Sequence, residues 1–214
     1  MEMAGSRFPS QAKNLSVFTE WLQAREDFLF VIDGANVAYH RQNFSEGQFS
    51  YRQIEIVYDK LISMGARVLV LVPESYCNRG NLLSGTRTTG NRLLRLIPNR
   101  SKNCSLSVTR HRKSILTAED EVIIDKFERA DHLYRVPQGG NDDWYWLYST
   151  VCEGRTSDSP AFVVTNDLMR DHRLAAFLEP RTFLRWTTSQ IIRLADLACF
   201  VYDYIIKVLS SQNP

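Results

Sequence analysis

With 214 residues, 44% of them hydrophobic, the chain can bury a core of its own and is expected to form one domain with an appended helix. A formal charge of +2 is too small to name a partner, so charge informs only through its distribution. No apolar run approaches the roughly 18 residues that span a bilayer, and the N-terminus lacks the apolar centre of a secretory signal. No membrane partner is expected. Cys77, Cys104, Cys152 and Cys199 are widely spaced, without CxxC or a Cys/His cluster. That spacing argues against structural zinc and for a reduced, intracellular protein; mitochondrion, plastid and nucleus are not distinguished.

Residues 1–13 read as a loose leader. Over residues 14–27, Leu15, Phe18, Trp21 and Leu22 fall at helical spacing and predict a packed amphipathic helix. Residues 28–32 are the first strand, turning at Asp33-Gly34, and residues 37–50 form a loop over the strand end. Ile54, Val57, Tyr58 and Leu61 share a face of a helix over 51–64 that Gly65 terminates. A second buried strand runs over 67–72 and stops at Pro73. Residues 75–117 are the least regular part, with short helices near Leu82-Leu83 and Leu93-Leu94 and a strand near Val108. A helix over 119–130 turns Val122, Ile123 and Phe127 inward. A short strand covers 133–136, a helix starts at Asp142-Asp143 and runs to 152, and 153–160 is a polar loop. Residues 161–165 are a strand and 168–178 a helix. Residues 182–186 are the last strand, and 189–209 a long apolar-faced helix. Strands alternate with helices, which predicts a mostly parallel sheet in a three-layer α/β/α arrangement.

Three acidic stretches carry the chemistry. Asp33 ends the apolar run Phe30-Val31-Ile32, and Asp167 follows Val163-Val164-Thr165-Asn166. A buried parallel strand delivers a carboxylate in this way to the carboxyl edge of a sheet, where open α/β folds keep their sites. Each aspartate equally suits a helix N-cap or turn. Asp142 and Asp143 follow Gly139-Gly140 and Asn141, a candidate N-cap. As neighbours they project about 100° apart, so both face one region only near the helix start, where backbone N–H groups favour anions. Trp144 and Trp146 cannot share a helix face, so at least one is expected near the groove. Asp171 lies one turn after Asp167 and either joins it or pairs with Arg170 or Arg173; His172 stands beside it. Four gathered carboxylates repel one another without a cation, and Mg²⁺ is the natural hard counter-charge, with Mn²⁺ a substitute. Between Glu74 and Glu119 there is no acidic residue, while Arg79, Arg87, Arg92, Arg95, Arg100, Lys102, Arg110, Arg112 and Lys113 all fall there. Such a block suits either a polyanion laid across the site or a solvated basic face. The chain has no Ser/His/Asp order, GxxxxGK[ST] or GxGxxG. Ala35 also stands where an aspartyl phosphatase has its second Asp. Acyl transfer, P-loop, dinucleotide and aspartyl-phosphatase chemistry therefore lack support.

Asp33-Gly34-Ala35-Asn36, Asn141-Asp142-Asp143-Trp144-Tyr145-Trp146 and Thr165-Asn166-Asp167-Leu168-Met169-Arg170-Asp171-His172 together resemble the NYN-type metallonuclease domain of protein-only RNase P. The segment from Phe183 to Gln190, including Trp186, is similar to the aromatic segment after that domain's last strand. The resemblance covers about residues 28–190, leaving 1–27 as leader and N-terminal helix and 191–214 as a C-terminal helix. It implies a PIN-like, Rossmann-type fold in which Asp33, Asp142, Asp143 and Asp167 bind catalytic metal and Asp171 supports them. Asn36, Asn141, Asn166 and His172 are expected in support. The implied activity is Mg²⁺-dependent hydrolysis of precursor tRNA at the mature 5′ end, leaving a 5′-phosphate on the tRNA and a 3′-hydroxyl on the leader, with no protein general base. Family members usually carry pentatricopeptide repeats and a zinc-binding connector, and neither pattern is present here. The chain is then either an excised domain or a stand-alone form that relies on its basic segment or another subunit to position tRNA. The alternatives are a related RNase acting on other single-stranded RNA, and a catalytically silent RNA-binding subunit.

Overall fold

Phe30–Asp33 (β1) is buried along its whole length. This requires packing on both faces of its sheet, as parallel strands have. The structure, a computed structural model, describes residues 8–42, 48–77, 116–151, 161–167 and 180–203. Among them, β1 is joined by Val68–Pro73 (β2), Leu133–Val136 (β3), Phe162–Val164 (β4) and Ile191–Ile192 (β5). All four pairings are parallel, in the order β3-β2-β1-β4-β5. Phe30 pairs with Val68 on one side and Phe162 on the other.

Strand alternation assigns the two faces. Phe30 and Ile32 join one core with Val68, Val70, Val72 and Val164. The helices over that face are Gly34–Ala38 (α2), Tyr51–Ile62 (α3) and Ala118–Arg129 (α5), with residues 197–203 beside them. Val31, Leu69, Leu71 and Val163 join the other core. Phe8–Gln23 (α1), Asp142–Val151 (α6) and Pro180–Gln190 (α7) cover it. Two helical layers around a parallel sheet are the expected α/β/α architecture.

The chain winds in one direction from β1 to β3 and then reverses. Glu74–Cys77 (α4) follows β2, and α6 carries the chain back across the opposite face to β4. The strand order therefore switches direction between β1 and β4, which opens a crevice at their carboxyl ends.

Some boundaries differ from expectation. Helix α1 begins at Phe8, within the stretch read as leader. Val37 and Ala38 sit in α2 with buried side chains, because the Asp33 carboxylate caps a helix where a loop was expected. Val122 is 69% exposed, since Ile123, Ile124 and Phe127 already define the inner face of α5. Residues 182–186 are helical: Thr, Phe and Trp favour strands singly, but Phe183 and Trp186 meet at the i, i+3 spacing of a helix, with ring centroids 6.1 Å apart. The last strand is Ile191–Ile192, which pairs with Val163 and Val164 and interrupts the long helix expected from residue 189. The aromatic segment therefore precedes the last strand. The expected elements at 82–83, 93–94, 108, 153–160 and 168–178 lie outside the described residues.

Candidate functional site

Because Asp33 follows Val31 by two, its side chain leaves β1 on the α6 side, and it is 4% exposed. Gly34 lets the chain turn there. A Cβ on it would lie 2.5 Å from the Leu71 carbonyl oxygen, so no other residue fits without moving β2. One Asp33 oxygen, Oδ1, accepts the Asn36 backbone N–H at 3.1 Å and caps α2. The other, Oδ2, accepts the Thr165 hydroxyl at 2.8 Å. The N-cap expected of Asp33 is thus realised through Oδ1, while Thr165 holds Oδ2.

The Thr165 hydroxyl in turn accepts the Asp167 N–H at 3.0 Å, so one buried hydroxyl ties the two acidic corners across the crevice. A second bridge runs beside it. Asn36 Oδ1 accepts the Asn166 N–H at 2.9 Å, and Asn166 Oδ1 accepts the Leu194 N–H at 3.2 Å. Asn166 Nδ2 meets His40 Nδ1 at 2.9 Å.

The third corner arrives from β3. Pro137 accepts the Gly140 N–H at 2.9 Å, and Gly139 at φ 82° completes the turn that aims α6. Asn141 Oδ1 accepts the Asp143 N–H at 3.1 Å, which is the expected N-cap. Asp142 and Asp143 occupy the first turn of α6 and are half-buried. Trp146 is fully buried while Trp144 is half-buried, so the two do occupy different faces.

Electrostatics couples the corners. The Asp33 carboxyl is pushed up to about 7, first by burial and then by the charge of Asp142, with Asp143 contributing less. The hydrogen bonds from Asn36 and Thr165 pull the other way. Among the described residues, no three His, Cys, Asp or Glu side chains are gathered into a metal-holding group. Even so, a buried carboxylate raised by neighbouring carboxylates is an all-oxygen anionic donor set, the kind a hard divalent cation takes. Asp171, His172 and the basic residues Arg79, Arg87, Arg92, Arg95, Arg100, Lys102, Arg110, Arg112 and Lys113 lie outside the described residues.

Thr165 and His40 were not singled out as site residues from the sequence. A threonine closing an apolar strand run just before Asn-Asp, and a histidine four residues after Asn36, were the available signals.

The chain matches the protein-only RNase P family over residues 86–198, more than half its length. It belongs to that family. The matched stretch contains Asp142, Asp143, Asp167 and Trp186, and Asp33 precedes it. Among curated relatives, Proteinaceous RNase P 3 of Arabidopsis thaliana is 29% identical over 180 residues, covering 84% of this chain and 25% of that protein. The Arabidopsis protein named Proteinaceous RNase P 1, chloroplastic/mitochondrial, is 29% identical over 185 residues, covering 85% of this chain and 25% of its own length. The crystal structure of nuclear proteinaceous RNase P 2 from A. thaliana superposes with a TM-score of 0.58 at 25% identity, covering 86% of this chain and 31% of that one. The five-stranded parallel sheet is thus the fold of a protein-only RNase P domain. This chain spans about a quarter of the length of the curated relatives it matches. No helix among the described residues is long and apolar enough to cross a membrane.

Proposed function

We propose that this chain is a Mg²⁺-dependent endoribonuclease that hydrolyses precursor tRNA at the mature 5′ end, leaving a 5′-phosphate on the tRNA and a 3′-hydroxyl on the leader. The observation that carries the proposal is the coupling of Asp33 to Asp142, Asp143 and, through Thr165, Asp167 at the β1/β4 crevice. Family membership and the names of the relatives supply the substrate.

Asp33, Asp142, Asp143 and Asp167 would hold the metal. When bound, Mg²⁺ supplies Lewis acidity toward the phosphate and lowers the pKa of the attacking water. The chain's own contribution is positional. Thr165 and Asn36 hold both Asp33 oxygens in place, and the Asn141 cap holds the start of α6. No His, Lys or Glu of the described site is required as a general base. A protein subunit that helps to position precursor tRNA is proposed as a further partner.

The deciding experiment is cleavage of a 5′-labelled precursor tRNA by this chain with Mg²⁺ and with EDTA. A single Mg²⁺-dependent cut at the mature 5′ end is expected. Scattered cuts would favour a single-strand RNase, and salt-sensitive binding without cleavage would favour a silent RNA-binding subunit.

Stability provides an independent check. The folded pKa of Asp33, about 7, lies above its ordinary 3.8. Its contribution is therefore fully present below about pH 4 and is lost as pH rises through 7. Asp33→Asn is expected to stabilise the metal-free protein by on the order of 4 kcal/mol at pH 8 and by nothing comparable near pH 4. Mg²⁺ should raise the melting temperature of the unsubstituted chain at pH 8 and leave the variant unmoved. Thermal melts across pH, with and without Mg²⁺, read both effects; a variant less stable at pH 8 would refute the burial argument.

A further inference from the structure

The amide of Asn166 can be oriented from its neighbours. Its Oδ1 accepts the Leu194 backbone N–H at 3.2 Å, and a backbone N–H can only donate. Nδ2 must then be the atom 2.9 Å from His40, and an amide NH₂ can only donate. His40 Nδ1 is therefore the acceptor, and the proton of the neutral imidazole sits on Nε2. A protonated Nδ1 would set donor against donor.

His40 is held at the crevice by the same residue that closes it. The Asn166 backbone N–H bonds Asn36 beside the Asp33 cap, and Asn166 directly precedes Asp167. The ring is half-buried, and among the described residues its only hydrogen bond is through Nδ1. A donor with a fixed tautomer is thus anchored to the residue that precedes Asp167 and bonds Asn36 beside the Asp33 cap. It offers a polyanionic substrate a hydrogen bond without adding a charge that would compete with a cation for the carboxylates.

We infer that His40 is a substrate-contacting residue whose Nε2–H donates to a backbone oxygen of the RNA next to the cleaved phosphodiester, with its tautomer set by Asn166. This rests on the endoribonuclease reading above. The chemistry required of the ligand is an acceptor oxygen, either a non-bridging phosphate oxygen or a ribose 2′-oxygen.

The test combines kinetics with ¹⁵N NMR of the imidazole on the full chain. His40→Ala is expected to lower kcat/KM on precursor tRNA by on the order of ten- to a hundredfold, as for a lost hydrogen bond to a charged group. Its melting temperature should barely change. His40→Gln, whose amide reaches the Nε2 position, should recover most of the loss; His40→Asn, which reaches only the Nδ1 position, should not. Asn166→Asp replaces the donor with an acceptor, and the ¹⁵N shifts of His40 should then report a proton on Nδ1. A 2′-deoxy substitution at the nucleotides flanking the cut separates the two oxygens: if His40→Ala no longer matters on that substrate, the partner is the ribose 2′-oxygen, and if the defect persists, it is phosphate.

Equal activity in His40→Ala and the unsubstituted chain would overturn the inference and leave the nuclease reading standing. An Nδ1–H tautomer in the unsubstituted chain would overturn it on structural grounds alone. Failure of the unsubstituted chain to cut any RNA would remove both.

Discussion

Asp142→Asn should lower the rate of RNA cleavage by more than about a hundredfold while leaving the fold intact. Substitutions of residues that merely orient a metal's ligands already cost roughly 10- to 100-fold, and Asp142 exerts the largest charge effect on the buried Asp33. Asn keeps the volume and one acceptor oxygen but removes the negative charge that a divalent cation needs. Asp142 lies in the first turn of α6, where Asn141 supplies the cap, so the helix survives the change. Asp143→Asn should also lose activity, but it should relax Asp33 less, because its effect on that carboxyl is the smaller. Single-turnover cleavage, together with the pH at which Asp33 titrates by ¹³C NMR, reads both effects. The Asp33 pKa should fall in both variants, further in Asp142→Asn. Full cleavage in Asp142→Asn would end the nuclease reading.

Trp146→Ala should cost about 3–5 kcal/mol of stability, the range for deleting a large buried aromatic. Trp146 is fully buried and stacks on Trp186 with centroids 5.9 Å apart and planes 10° from parallel. Trp186 is itself held by a 3.2 Å hydrogen bond from its Nε1 to Thr150, so the pair joins α6 to α7. For a chain of this size the melting temperature should drop by roughly 6–20 °C. Among the described residues the buried Trp146 Nε1 has no hydrogen-bond partner, and a buried donor left unpaired costs about 1–3 kcal/mol. Trp146→Phe removes that burden along with some volume and should therefore cost much less than its loss of size suggests. Calorimetry distinguishes the two. If Trp146→Ala cost under 1 kcal/mol, α6 would be held by its other contacts. Cleavage measured well below the melting temperature should still fall in Trp146→Ala, because α6 carries Asp142 and Asp143.

The strands ending in Asp33 and just before Asp167 were readable because both are apolar on every face, which few structures other than a covered parallel strand produce. The start of α6 was readable because Gly139-Gly140-Asn141 is turn and cap chemistry followed by an aromatic run. The segment over 182–186 was misread because Thr, Phe and Trp favour strands, whereas the pairing of Phe183 with Trp186 gives the helical period. Thr165 and His40 escaped notice for a different reason. Each acts through a partner more than a hundred residues away, Asp33 at |i−j| 132 and Asn166 at |i−j| 126. Such partnerships depend on the β1/β4 register, and no local pattern reports that.

The bond from Thr165 to Asp33 also bears on when activity can appear during synthesis. The two residues lie 132 positions apart and meet only once β4 has paired beside β1. Long-range parallel pairings of this kind form late, because the loop between them must be closed before any contact rewards it. Until β4 has emerged from the ribosome the chain holds Asp33, and later Asp142, without the edge that unites them. On the nuclease reading proposed above, a chain assembled in this order has no formed site with which to attack RNA around it until β4 has been made and has paired beside β1.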